Sequence, residues 1–349
     1  MHAIFSKQSK RQSWIKRAPR FLPVVVAGIV VFALAAGCAS GGSNSTTNAS
    51  TTAVTGVEKP NLTVAVVPAV DSAGFFVALY DGLFKAQGLH VTFVPAVSSE
   101  TAIADQVKGT YDITGGNYVS YIQAQQAGQA DLEIFAEGSV MLPGTQALYT
   151  MPGSKIRNLN DLVGATIGIN APKNILYLLV ASVLASHGIP VSEVHFKDIA
   201  LPAMAAALKA GQINAAVLPE PFASQAQVAY GVTTLADLNQ GATTDFPIQG
   251  YVVTRQWAAA YPRTLAAFTR ALEQGQEIAD TNRTAVEQAM EDLPMKPVPL
   301  GVSQETAAIM AEDNYPVGPV DSVRLQRVAD VMSQFLGFPS FNVTSMIGS

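Results

Sequence analysis

The chain has 349 residues, a formal charge of −5 and one cysteine, Cys38. Six basic residues fall within positions 7–20, and over the remainder 15 basic residues face 26 acidic ones. An acidic body of this kind repels a phosphate backbone, which argues against a nucleic-acid partner. A lone cysteine excludes an intrachain disulfide, so the fold must rest on its apolar core. The length is enough for about two domains.

In chain order, the first feature is Lys7, Lys10, Arg11, Lys16, Arg17 and Arg20 followed by an uncharged stretch at 21–36. This is the layout of a secretory signal rather than of a folded element. Its end, Leu34-Ala35-Ala36-Gly37-Cys38, resembles a bacterial lipobox, in which the Cys becomes the lipidated first residue. The other reading is a retained membrane anchor. The stretch is shorter than the ~20 residues needed to span a bilayer and is interrupted by Pro23, which favours the cleaved signal. Residues 39–57 are rich in Ser, Thr, Ala, Gly and Asn, too polar for a core, and read as a flexible tether.

A strand–helix rhythm begins at Asn61. Strands are expected at 62–67, 91–94, 111–114 and 132–136, with helices at 74–87, 99–108 and 117–127. The rhythm restarts after Asn160, with strands at 165–169, 194–196, 213–218, 232–235 and 250–254. Helices at 174–187, 201–210 and 222–230 alternate with them. Four helices follow, at 261–282, 284–291, 303–313 and 322–336. Alternation of this kind predicts two α/β units with largely parallel sheets and a helical tail. Strands at 146–150 and 249–254 are the expected places for the chain to pass between the units.

Several segments together resemble a family, the SsuA/THI5-like group (NMT1, TauA, nitrate-binding) of solute-binding proteins of ABC importers. The matching segments are "GFFVALYDGLFKAQGLHVTFV" at 74–94, "GTYDITGGN" at 109–117, "NLNDLVGATIGIN" at 158–170 and "ALKAGQINAAVLPEPF" at 207–222. Asn214 stands where the family usually has Asp. The resemblance implies a periplasmic-binding-protein-like (type II) fold. Its two α/β lobes would be joined by two crossover strands, with a helical C-terminal segment. The expected division is 1–37 signal peptide, 38–60 lipidated Cys and tether, 61–146 plus 250–349 lobe 1 with the tail, and 147–249 lobe 2. It further implies a monomer, lipid-anchored at the extracytoplasmic face of the cell membrane, that hands a small-molecule ligand to an ABC permease and ATPase complex. No cofactor is implied.

Ligands of open α/β units bind beyond the carboxyl ends of the strands, where helix N-termini offer unpaired N–H groups. That placement selects Asp71, Ser72, Ser99, Thr101, Gly116, Asn117, Asn174 and Glu220 as candidate ligand-binding residues. Each has a plainer use: Ser99 with Thr101, Asn174 and Asp71 can cap helices, Gly116 can permit a tight turn, and Glu220 can brace the hinge. Among the aromatic residues near helix starts, Tyr118 and Tyr177 are the better candidates for lining a cleft, because their hydroxyls need partners if buried. Lys173 reads as solvated.

Little points to catalysis. His90, His187 and His195 lack metal-site spacing, and there is no Gly-x-Ser-x-Gly elbow, His-Glu-x-x-His or Walker loop. A sulfonate- or taurine-like anion is slightly favoured as ligand, with a thiamin-pyrimidine precursor next. The alternatives are a nitrate-type anion binder and a secreted enzyme on the same two-lobed fold, for which Asp71 and Glu220 would supply an acid pair.

Overall fold

The computed structural model describes residues 56–291 and 301–348. The basic and apolar N-terminal stretch, Cys38 and tether residues 39–55 lie outside them. Among the described residues no helix is long and apolar enough to cross a membrane.

The first half of the chain alternates as its sequence leads one to expect: β1 (Asn61–Val66), α1 (Ala73–Tyr80), α2 (Leu83–Ala86), β2 (His90–Pro95), α3 (Ser99–Val107), β3 (Ile113–Asn117), α4 (Tyr118–Gln126) and β4 (Leu132–Val140). The second series is β5 (Gln146–Thr150), β6 (Thr166–Ile169), α5 (Ile175–Ser186), β7 (His195–Asp198), α6 (Leu201–Lys209), β8 (Ala215–Pro219), α7 (Phe222–Tyr230), β9 (Thr233–Asp237) and β10 (Pro247–Thr254). Five helices follow: α8 (Arg255–Ala260), α9 (Pro262–Thr281), α10 (Arg283–Glu291), α11 (Gln304–Ile309) and α12 (Ser322–Leu336).

Two five-stranded sheets result, ordered β2-β1-β3-β10-β4 and β7-β6-β8-β5-β9. Each is mixed rather than largely parallel. In the first, β10 runs antiparallel to β3 and β4 beside the parallel set β2-β1-β3. In the second, β5 runs antiparallel to β8 and β9 beside the parallel set β7-β6-β8. The antiparallel strand is in each case the crossover strand. The chain leaves the first sheet after β4, enters the second at β5, and returns from β9 to β10.

The first sheet packs on an aromatic cluster in which the Phe84 and Phe268 rings lie 4.6 Å apart, with Phe75, Phe76, Phe93 and Tyr251 around them. Phe75 and Phe76 therefore belong to the core. In the second sheet's lobe, α5 is apolar nearly all round, and nine of its residues are buried. A helix of that kind must be covered on several sides, and α4 and α12 supply two of them.

Four local outcomes differ from the sequence reading. The expected helix at 74–87 is broken, because Gly82 takes a left-handed conformation with φ of 71°, which glycine alone adopts readily. The expected helix at 303–313 stops at Ile309. Beyond it the chain is drawn out along the first lobe, and the Asn314 N–H and C=O pair with those of Val140. α8 was not foreseen; the Thr254 hydroxyl caps it by accepting from the Trp257 N–H. Finally, Glu58 and Lys59, expected in the tether region, already bond to Thr264 at the start of α9.

Candidate functional site

A cavity of about 30 Å³ lies where the two sheets face each other, roughly the room that two water molecules need. The first lobe contributes Val67, Ala69, Asp71, Ser99, Gly116 and Asn117, from the ends of β1 and β3 and the start of α3. The second lobe contributes Gln146, Asn170, Ile175, Leu176, Leu201 and Pro219; Ile248 and Gln249 come from β10. Strand ends and helix starts of both lobes thus converge on one space, as open α/β units arrange their ligand sites. The lobes stand nearly closed. The Val70 N–H donates to the Glu220 carbonyl at 2.8 Å, and Gln123 Nε2 on α4 donates to the Lys173 carbonyl at 2.7 Å.

Donors collect around Ser99. Its Oγ accepts from the Asn117 N–H and from Asn117 Nδ2, both at 2.9 Å, which leaves the hydroxyl proton to donate elsewhere. Gly116 permits this approach: a Cβ there would stand 2.4 Å from Ser99 Oγ. On the facing lobe, Asn174 caps α5, accepting from the Leu176 and Tyr177 N–H groups. Asn174 Nδ2 holds Asn170 by donating to its Oδ1 at 2.6 Å, so the Asn170 amide group is left to face the cavity as a donor.

Acceptors collect around Asp71. Gln146 Nε2 donates to Asp71 Oδ1 at 3.0 Å, while Gln146 Oε1 is buried without a partner. Gln249 Nε2 donates to the Asp71 carbonyl at 2.7 Å and fixes this turn. Behind Asp71 lies Asp313, from the drawn-out segment after α11. Burial, and then the facing Asp313 carboxyl, push the Asp71 carboxyl well up; burial also pushes Asp313 up. The Thr145 and Ser139 hydroxyls and the Leu142 N–H around Asp313 oppose that rise.

Of the residues selected from the sequence, Asp71, Ser99, Gly116 and Asn117 line the cavity together. Six others are placed behind it or beside it. Ser72 Oγ donates to the Val67 carbonyl. Thr101 serves the α3 cap, its N–H donating to Ser98 Oγ and its hydroxyl to the Ser98 carbonyl. Asn174 is the α5 cap just described. Tyr118 is buried beside Gly250 with its hydroxyl unpartnered. Tyr177 packs on Phe196 with ring centroids 4.5 Å apart. The Glu220 carboxylate accepts from the Ser224 N–H and hydroxyl and from the Ala311 N–H, tying α7 to the C-terminal segment. Burial pushes its carboxyl up, against those hydrogen bonds.

The sequence reading missed Gln146, Asn170, Gln249 and Asp313. Gln146 and Gln249 open the two strands singled out as crossovers, so their place was visible although their role was not. Asp313 carried no signal, because the segment holding it reads as helix. Among the described residues no group of three metal-ligating side chains occurs.

The sequence profile of the NMT1-like family matches residues 55–291. The chain belongs to that family. Among curated proteins, this NMT1-like chain is 28% identical over 239 residues to the bicarbonate transport ATP-binding protein CmpC of Synechocystis sp., covering 62% of this chain and 35% of that protein. It thus spans about a third of the length of the curated relatives it matches. Among solved structures, it resembles the alkanesulfonate-binding protein SsuA from Xanthomonas axonopodis pv. citri bound to MOPS, with a TM-score of 0.69, 20% identity, and 84% and 99% of the two chains covered. The periplasmic nitrate-binding protein NrtA from Synechocystis PCC 6803 gives 0.66, 14%, and 83% and 85%. The desulfurization enzyme DSZB gives 0.60, 16%, and 82% and 96%. These likenesses identify the type II periplasmic-binding-protein fold.

Proposed function

We propose that this NMT1-like protein is an extracytoplasmic solute-binding lipoprotein of an ABC importer. It would be anchored through Cys38, capture a small organic solute between its lobes, and deliver it to a permease and ATPase complex. The observation that carries this reading is the cavity itself, walled by strand ends and helix starts of both lobes. Such a site can close on a ligand by hinge motion at the two crossovers. The solute favoured is sulfonate- or taurine-like. Its acidic end would meet the Ser99 hydroxyl and Asn170, beside the start of α5, where the helix dipole favours negative charge.

A second reading, a nitrate- or bicarbonate-sized anion, draws support from the small volume of the closed cavity and from the names of the curated relatives. A pyrimidine precursor of thiamin draws less, since no aromatic side chain is among the residues lining the cavity. The rival from another class is an enzyme on this fold, as the DSZB likeness illustrates. Thermal shift and calorimetry with sulfonates, taurine, nitrate, bicarbonate and aminopyrimidines test these readings together. A true ligand binds the folded state and raises its melting temperature, and is recovered unchanged. Conversion of a compound on incubation favours the enzyme, and no stabilisation by any solute overturns the importer reading.

A further inference from the structure

The importer reading leaves open which end of a solute the Asp71 side of the cavity accepts, and the charges there narrow it. The cavity lining contains no Lys, Arg or His, and its one ionisable side chain is Asp71. Asp71 is backed by Asp313, and both are at least nine-tenths buried. The titratable groups around the pair are Tyr251 from β10, Tyr315 and Glu312 from the C-terminal segment, and Glu220 at the end of β8. The nearby cation, Arg283 on α10, is taken by Glu287, Glu312 and the carbonyls of Ala307 and Met310. Burial and the facing Asp313 carboxyl both disfavour the ionised form of Asp71 while the cavity holds no cation.

An independent observation points the same way. Gln146 is 1% exposed and lines the cavity, and its Oε1 has no donor. Its Nε2 donates to Asp71 Oδ1, the orientation in which Oε1 is the end left open. A buried acceptor left open in this way is costly unless a donor arrives. The Asp71 end of the cavity is therefore built to accept.

We propose that Asp71, with Gln146 Oε1, binds a protonated amine of the transported solute. The substrate class is then an amine-bearing solute, zwitterionic if its acidic end sits at Ser99 and Asn170, and not a simple anion. An arriving ammonium favours the ionised form of Asp71, whose proton is released to solvent. Asp71 touches the ligand, and Asp313 lies behind it.

This inference rests on the importer reading, and matched probes separate the two. Calorimetry on the full chain near neutral pH compares taurine with ethanesulfonate and β-alanine with propionate. Each amine is expected to bind at least about tenfold tighter than its amine-free partner, the factor a hydrogen bond to a charged group carries. Asp71→Asn should abolish that ratio. Asp313→Asn should keep it, because Asp71 still supplies the carboxylate. Melting temperatures show that both variants fold. An amine-free probe that binds as tightly as its partner in the wild-type chain overturns the inference and leaves the importer reading standing, as does a ratio that survives Asp71→Asn. Silence from all four probes up to about 10 mM, where binding is already very weak, counts against both.

Discussion

Gly116→Ala should act on the site through Ser99. The new methyl carbon would stand 2.4 Å from Ser99 Oγ, 2.9 Å from Ser99 Cβ and 3.2 Å from the Tyr121 hydroxyl. Ser99 is 2% exposed and begins α3, so its backbone cannot withdraw without moving the helix. Relief requires a side-chain shift that loosens the bonds Ser99 Oγ accepts from Asn117. Overpacking of a close site costs about 1–3 kcal/mol, and each weakened hydrogen bond adds about 1 kcal/mol. A total of about 3–5 kcal/mol lowers the melting temperature by roughly 6 to 10 °C in a domain of this size. Ligand affinity should fall with it, since Ser99 and Asn117 line the cavity. Thermal melts with and without ligand measure both effects. Ser99→Ala removes the nearer clash, so the double variant should be more stable than the sum of the single changes allows, by about 0.5 kcal/mol or more. A Gly116→Ala melting temperature within about 1 °C of wild type, or strict additivity with Ser99→Ala, would refute the packing argument.

Other predictions concern the buried carboxyls and the anchor. Burial pushes both Asp71 and Asp313 up, so the folded chain keeps a proton that the unfolded chain releases above about pH 3.9. Their contribution to stability is fully present below that pH and is lost as pH rises through the raised folded values. Asp313→Asn should therefore gain stability relative to wild type as pH rises from about 5 to 8; urea titrations in which the difference shrinks over that range contradict it. Glu220→Ala leaves the Ser224 and Ala311 donors without their acceptor and should cost about 2–3 kcal/mol, with Glu220→Gln milder; equal loss in both variants would argue that charge rather than hydrogen bonding matters there. Cys38→Ala should bind solute normally yet leave the membrane fraction, and its retention by fractionation would speak for an uncleaved anchor.

Much of the architecture was legible because it is local. The alternation of β-branched strands with apolar-faced helices fixes the α/β class, and strands form at 146–150 and 249–254 as their sequence suggests, the second starting two residues earlier at Pro247. Strand ends and helix starts are also sequence features, which is why Asp71, Ser99, Gly116 and Asn117 were selected. What the sequence could not supply is the pairing of distant segments. Both crossover strands insert antiparallel, an outcome decided by long-range hydrogen bonding that leaves no periodic trace. Capping and ligand contact use the same residue types at the same positions, so Thr101 and Asn174 could not be told from Ser99 until packing placed them. The deepest gap is Asp313: helix-like in its sequence, it is drawn out by its pairing beside Val140 and set against Asp71 across more than two hundred residues of chain. Only tertiary structure could decide that, because the interaction exists between segments and in neither alone.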